Sequence, residues 1–317
     1  MLTLVKYDKI YVLFLIPFLV IGIWFMQLLN INYTEVYFDN NQMPLYRLIV
    51  SIFPHNSIMS VIVSIILVCV NGFLIIRING INKLTSKGTY LPGILFVMFI
   101  SLFPELRQLN PIIFSSVFLL LAIDRIFQTY KVDYQIKPFY ESGFLIGFAS
   151  LFYFNAVFFL IYLFFSMLSI RRFYWREFLA PVVGLVTVYA FLLFFYFYFN
   201  RLDELKEIVQ FNLFHESDTS FFHLSNIIFF GYLSFIFIIS LALTFTGISR
   251  KIIVRKIYSQ FFVLFLLVLA MFFMIPATSF ELIVFLGIPL SFFLTNYLLN
   301  INSVPLSEIV FIAFVSL

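Results

Sequence analysis

Glu35 and Asp39 stand four residues apart in NYTEVYFDNN, just after the first long apolar run. On a helix that spacing puts both carboxylates on one face. One could then serve as a general base, or the two could hold a divalent cation; on a loop they are two solvated acids. A second polar island, LFPELRQLNP from Leu102 to Pro111, sets Glu105 and Arg107 between two apolar runs. Arg107, like Arg47 in the first connection, carries the planar fork that suits a phosphate. The plainer alternative is a hairpin tip whose Glu105 and Arg107 pair with each other, since unpaired charge near membrane depth is expensive.

Three other constellations are weaker. HESDTSFFH supplies His215, Glu216, Asp218 and His223, ligand types that suit zinc or manganese, but their spacing matches no zinc signature. Asp124 and Arg125 close the fourth apolar run, where such charges snorkel, pair or face protein; a proton or ion path would need further ionisable groups at mid-membrane. RRFYWREF, Arg171 to Phe178, mixes arginines and aromatics as an interfacial anchor does. Its functional alternative is a contact with anionic headgroups or a phosphorylated ligand. The chain has no P-loop, dinucleotide-binding glycine pattern, paired cysteines or nucleophile elbow, which argues against ATP hydrolysis. Cys69 is the only cysteine, so an intramolecular disulfide is excluded.

These residues must be positioned by membrane helices. Of 317 residues, 63% are hydrophobic and only 11% charged, against about a quarter charged in soluble domains. The mean hydropathy is +1.08. The apolar runs are continuous rather than alternating, which excludes a transmembrane barrel and predicts an all-α polytopic membrane protein folded as one domain over 1–317. The first run, Ile10 to Leu29, is too long for a signal-peptide core and is expected to remain as an anchor. Runs fall near 10–29, 57–76, 90–104, 111–127, 143–152, 154–170, 178–199, 223–247, 259–275, 282–298 and 303–317, giving about 10–11 transmembrane or re-entrant helices.

Basic residues test that count. With the N-terminus in the cytoplasm and every run reversing the chain, 15 of the 19 Lys and Arg lie inside; only Arg47, Arg107, Arg201 and Lys206 lie outside. Such asymmetry is the positive-inside pattern of a multi-pass bacterial inner-membrane protein. Nine of the 15 acidic residues fall outside, so the outer face is net negative and the overall charge of +4 reflects orientation rather than nucleic-acid binding. Only 37 residues separate Lys87 from Arg125 and 33 separate Lys137 from Arg171. Two full crossings with a turn need about 40 or more, so both intervals are expected to be short, tilted or re-entrant helix pairs. Two outer connections should hold interfacial helices: one after Pro44 with Leu45, Ile49 and Val50 on its apolar side, and RLDELKEIVQF with Leu202, Leu205, Ile208 and Val209 on one face.

From Asn82 to about Phe197 the chain resembles a family of uncharacterised polytopic inner-membrane proteins of Bacteroidota. NKLTSKGTY, LFPE followed by NPIIFSSVFLLLAIDRIF, GFLIGFASLFYF, and WRE before APVVG carry the likeness. That family brings no function with it. The layout is also similar to membrane glycosyltransferases of the GT-C type, which use lipid-linked sugars and place an acidic residue in the first external loop. The similarity implies Glu35 or Asp39 in the acidic position, and Arg47 and Arg107, with Glu105 beside them, at a phosphate of a polyprenyl-phosphate-linked sugar. A non-enzymatic subunit or scaffold of a cell-envelope complex, and a small-solute transporter, are the competing expectations. No cofactor is specified, and the protein partners are undetermined.

Overall fold

The computed structural model describes residues 11–29, 41–85, 88–131, 135–170, 174–215, 234, 237–242 and 252–300. The protein is an all-α polytopic membrane protein. Its helices are α1 (Tyr11–Leu29), α2 (Pro44–Ile52), α3 (Ile58–Asn82), α4 (Leu91–Leu102), α5 (Pro111–Gln128), α6 (Lys137–Ser150), α7 (Phe159–Ile170), α8 (Trp175–Tyr198), α9 (Leu202–Phe214), α10 (Ile252–Met274) and α11 (Ile283–Asn300). Among the described residues, five stretches are long and apolar enough to cross a membrane: α3, α5, α8, α10 and Phe280–Asn300. Large apolar side chains such as Phe18 of α1 and Phe191 and Phe194 of α8 point outward from the bundle, as a lipid-facing surface requires.

Both tight intervals are hairpins, and side-chain partners fix the directions. Along α3 and α5, Asn71 donates to the Ile113 carbonyl at 3.2 Å and Arg77 reaches Asp124 at 3.3 Å, so the two helices run the same way. Two parallel neighbours require a return helix, and α4 is that helix. Likewise Gly143 lies against Pro181 and Tyr189 donates to Ser150 at 2.9 Å, so α6 and α8 are parallel and α7 brings the chain back. Between α6 and α7 the chain turns through the 3-10 segment Phe154–Phe158, as the helix-pair expectation requires.

The bundle has two distinct ends. One is roofed by α2 and α9 and holds the turns 103–110 and 151–158. The other carries Arg77, Arg125, Lys137, Arg255 and Lys256 and is called the basic end here. Short helices span part of this distance: α4 has 12 residues, about 18 Å of rise against a hydrocarbon core of about 30 Å. It is buried almost throughout, walled by α1, α3 and α11. Helices in lipid gain no hydrophobic drive toward one another, so close backbone approach matters more. At Gly93 an added Cβ would stand 2.5 Å from the Gly72 carbonyl oxygen, and at Gly143 2.0 Å from that of Pro181.

Several boundaries differ from the apolar runs. The α3 helix continues past Ile76 through Arg77 and Asn79 to Asn82, α6 starts at Lys137, α8 at Trp175 and α10 at Ile252. Charged and amide side chains there reach headgroup level or a partner, so the helix extends beyond its apolar part. The run 303–317 and most of 223–247 lie outside the described residues; within the latter, Phe237 stacks on Phe265 at 4.0 Å.

Candidate functional site

The roof is built from two amphipathic helices tied to the hairpin turns. Pro44 opens α2 at its first turn, where a missing N–H costs nothing. Leu45 N donates to the Leu151 carbonyl at 3.2 Å, fastening α2 to the second turn. Tyr46 is buried beneath and its hydroxyl donates to the Leu109 carbonyl at 3.0 Å, fastening α2 to the first. On the outward face Arg47 pairs with Glu204 of α9, and Arg201 lies 3.9 Å from the same carboxylate. The α9 helix buries Leu205 and Ile208, while Asn212 donates across to the Asn41 carbonyl at 3.0 Å. The two predicted interfacial helices thus form one layer. Leu202 is exposed rather than packed, because it sits where α9 begins beyond the Asn200 turn.

The first turn carries Glu105 and Arg107 in unlike environments. A 3-10 turn over Pro104–Leu106 leaves Glu105 exposed and turns Arg107 back, half-buried, toward the end of α4. Arg107 Nε donates to the Ser101 carbonyl at 2.8 Å, and Ser101 Oγ accepts from Trp24 Nε1 at 3.0 Å. The last carbonyls of a helix have no partner within it, and here an arginine supplies one at the negative end of the helix dipole. Glu105 and Arg107 form no contact ion pair among the described residues. Burial lowers the Arg107 pKa, and the Glu105 charge partly restores it; the guanidinium stays charged. Its terminal nitrogens make no hydrogen bond or ion pair among the described residues, so the fork is available.

Other polar atoms at this end keep hydrogen-bonding capacity. Asn110 caps α5 by accepting from Ile112 N at 2.9 Å, while its Nδ2 is buried with no partner among the described residues. Asn155 Oδ1 in the second turn and Ser279 Oγ before α11 are in the same condition. Phe280, next to Ser279, packs edge-on against Phe103 at 5.0 Å, which brings that segment to the first turn.

Of the expected site residues, Arg47, Glu105 and Arg107 share the roofed end; Glu35 and Asp39 lie outside the described residues, as do Glu216, Asp218 and His223. His215 stacks on Phe211 at 4.5 Å. Among the described residues no three His, Cys, Asp or Glu gather as a metal site would need. Tyr46 and Asn212 carry long-range hydrogen bonds of the roof, and Trp24 one between α1 and α4, without any local signal in the sequence. Asn110 did have one, the Asn-Pro pair that starts a helix with a cap and Pro in its first turn.

At the basic end Asp124 and Arg125, expected to snorkel, pair or face protein, are both paired. Asp124 is buried, takes Arg77 at 3.3 Å and accepts from Gln128 at 3.0 Å, while Arg125 reaches Glu141 of α6 at 3.4 Å. In RRFYWREF, Arg176 lies over the Trp175 ring at 5.4 Å, and buried Glu177 accepts from Gln135 N at 2.8 Å. Arg171, Arg172 and Phe173 lie outside the described residues. No protein-family model, curated protein or solved structure matches this chain.

Proposed function

We propose that this chain is a bacterial inner-membrane protein, N-terminus in the cytoplasm, that handles a lipid-linked glycan at its roofed end. The observation that carries the proposal is Arg107: a half-buried guanidinium, anchored through Nε on the Ser101 carbonyl, with its terminal nitrogens available. A cation held in that way suits a phosphate of a polyprenyl-phosphate-linked sugar. Arg47 is engaged by Glu204 on the outer surface and is the secondary contact. Glu35 and Asp39, from the connection that leads into α2, are the base or metal ligands of a GT-C-like transfer. The charges support this orientation, since among the described residues eight of 12 Lys and Arg lie at the basic end. The likeness to inner-membrane proteins of Bacteroidota supports the location, and the similarity to GT-C layouts supports the glycan assignment.

The test is binding of a polyprenyl phosphate to the purified chain and to Arg107→Gln. Hydrogen bonds to a charged group are worth about 1.5–3 kcal/mol, so affinity should fall by roughly ten- to a hundredfold, with Arg107→Lys in between. Equal binding by all three proteins refutes the phosphate role. If Glu35→Ala/Asp39→Ala leaves glycan synthesis and surface phenotypes intact, the transferase proposal is dropped in favour of a non-enzymatic envelope subunit. A transporter is disfavoured by the apolar packing of Phe96, Phe99, Ile288 and Phe292 across the centre of the bundle.

A further inference from the structure

A recess of about 250 Å³ opens on the side of the bundle at the basic end, lined by Arg125, Tyr140, Glu141, Phe144 and Leu145. It is remote from Arg107 and from the glycan assignment. Its mouth is charged: Glu141 has Arg125 Nε at 3.4 Å and Lys137 Nζ at 3.8 Å. Two cations around one carboxylate leave one positive charge in excess. The other described carboxylates of this end are engaged, Asp124 with Arg77 and Gln128 and Glu177 with Gln135 N. Arg125 is about half exposed, 48% for its side chain, and its terminal nitrogens make no hydrogen bond or ion pair among the described residues.

Behind the mouth the lining turns apolar at Phe144 and Leu145, and a row of aromatic rings runs on from it toward the roof. Tyr140, Phe144 and Phe148 recur every fourth residue on α6, their rings 6.4 and 5.6 Å apart in succession, and Phe118 of α5 continues the row 5.6 Å from Phe148. All four are half-buried. Eight residues of helix carry the stripe about 12 Å along the axis. Tyr140 is held by its hydroxyl, 3.3 Å from Thr187 Oγ1, and by the tight crossing of α6 on α8.

We infer that this recess binds one anionic phospholipid, with its phosphate on Arg125 and Lys137 and an acyl chain along Phe144, Phe148 and Phe118. The charge excess selects a phosphodiester without a balancing cation of its own, and the stripe selects a ligand with a long apolar tail. A headgroup above and a chain below, laid end to end along the bundle, is the shape of a membrane lipid; basic pockets between transmembrane helices bind such headgroups. A soluble phosphate would use the mouth and leave the stripe uncovered.

The full chain in mild detergent is titrated with phosphatidylglycerol, phosphatidylcholine, glycerol phosphate or inorganic phosphate, while bound mass is read by native mass spectrometry and unfolding by temperature. Phosphatidylglycerol should be retained and raise Tm, and the other three should not. With about 1 kcal/mol per basic group near the surface, Arg125→Gln should weaken phosphatidylglycerol binding roughly fivefold. Glu141→Gln should move it the opposite way by a similar factor, a sign that general loss of structure cannot mimic. Equal retention of phosphatidylcholine, an equal shift with either soluble phosphate, unchanged binding by Arg125→Gln or weaker binding by Glu141→Gln each overturns the inference.

Discussion

Replacing Gly143 or Gly184 by alanine should drive α6 and α8 apart. A Cβ at Gly143 would meet the Pro181 carbonyl oxygen at 2.0 Å and its carbon at 2.5 Å; one at Gly184 would meet the Tyr140 carbonyl oxygen at 2.2 Å. Those are backbone atoms, which cannot swing aside as a side chain can. Restoring an ordinary contact of 3.4 Å at Gly143 means a retreat of about 1.4 Å. That retreat would stretch the bond from Tyr189 to Ser150, now 2.9 Å, and loosen the packing of Leu151, Val188 and Leu192 under the roof. Overpacking costs about 1–3 kcal/mol, and alanine in a helix returns about 0.5–1 kcal/mol over glycine, so each variant should lose about 1 kcal/mol, and at most about 2.5 kcal/mol. One retreat accommodates both methyls, so the double variant should lose little more than the worse single one. Gly22, with nothing within 4 Å of its Cβ position in α1, supplies the control: Gly22→Ala should stabilise by about 0.5–1 kcal/mol. Equilibrium unfolding in detergent measures all four. If Gly143→Ala behaves like Gly22→Ala, or the two losses at the crossing add in full, the close approach does not hold these helices together.

Other outcomes test the roof and the basic end. Tyr46→Phe leaves the Leu109 carbonyl without its donor and should cost about 1 kcal/mol or more, whereas Arg47→Ala should cost under about 1 kcal/mol, because its pair with Glu204 is exposed; thermal unfolding ranks the two. Arg77→Gln strands the buried Asp124 carboxylate, so adding Asp124→Asn should recover part of the loss, giving a coupling of about 1–2 kcal/mol in a double-mutant cycle. Cys69 is buried in α3, so a membrane-impermeant maleimide should label the folded chain only after denaturant is added, with one label per chain then counted by mass.

The parity of the helices was legible because charge is costly in lipid. Lys87, Arg125, Lys137 and Arg171 bracket intervals too short for two full crossings, and the structure places a return helix in each. The amphipathic faces of α2 and α9 were legible too, from Leu45 and Ile49 and from Leu205 and Ile208. What held those faces in place was not: Tyr46 bonds a carbonyl 63 positions away and Arg47 a carboxylate 157 away, just as Trp24, joining α1 to α4, bonds a hydroxyl 77 away. Nothing local marks such partners. Glu105 and Arg107, by contrast, look paired because they are two residues apart. The 3-10 turn separates them, and a helix-end carbonyl lacking a partner within its helix takes the arginine.

The roof also has a chronology. During synthesis α2 leaves the ribosome before the Leu109 carbonyl, the Leu151 carbonyl and Glu204 that hold it have been made. Until then it can only lie on the membrane surface by its own apolar face. Its capture therefore completes late, once α9 has emerged, and protection of residues 41–52 from a surface protease during translation would serve as a clock for assembly of the whole bundle.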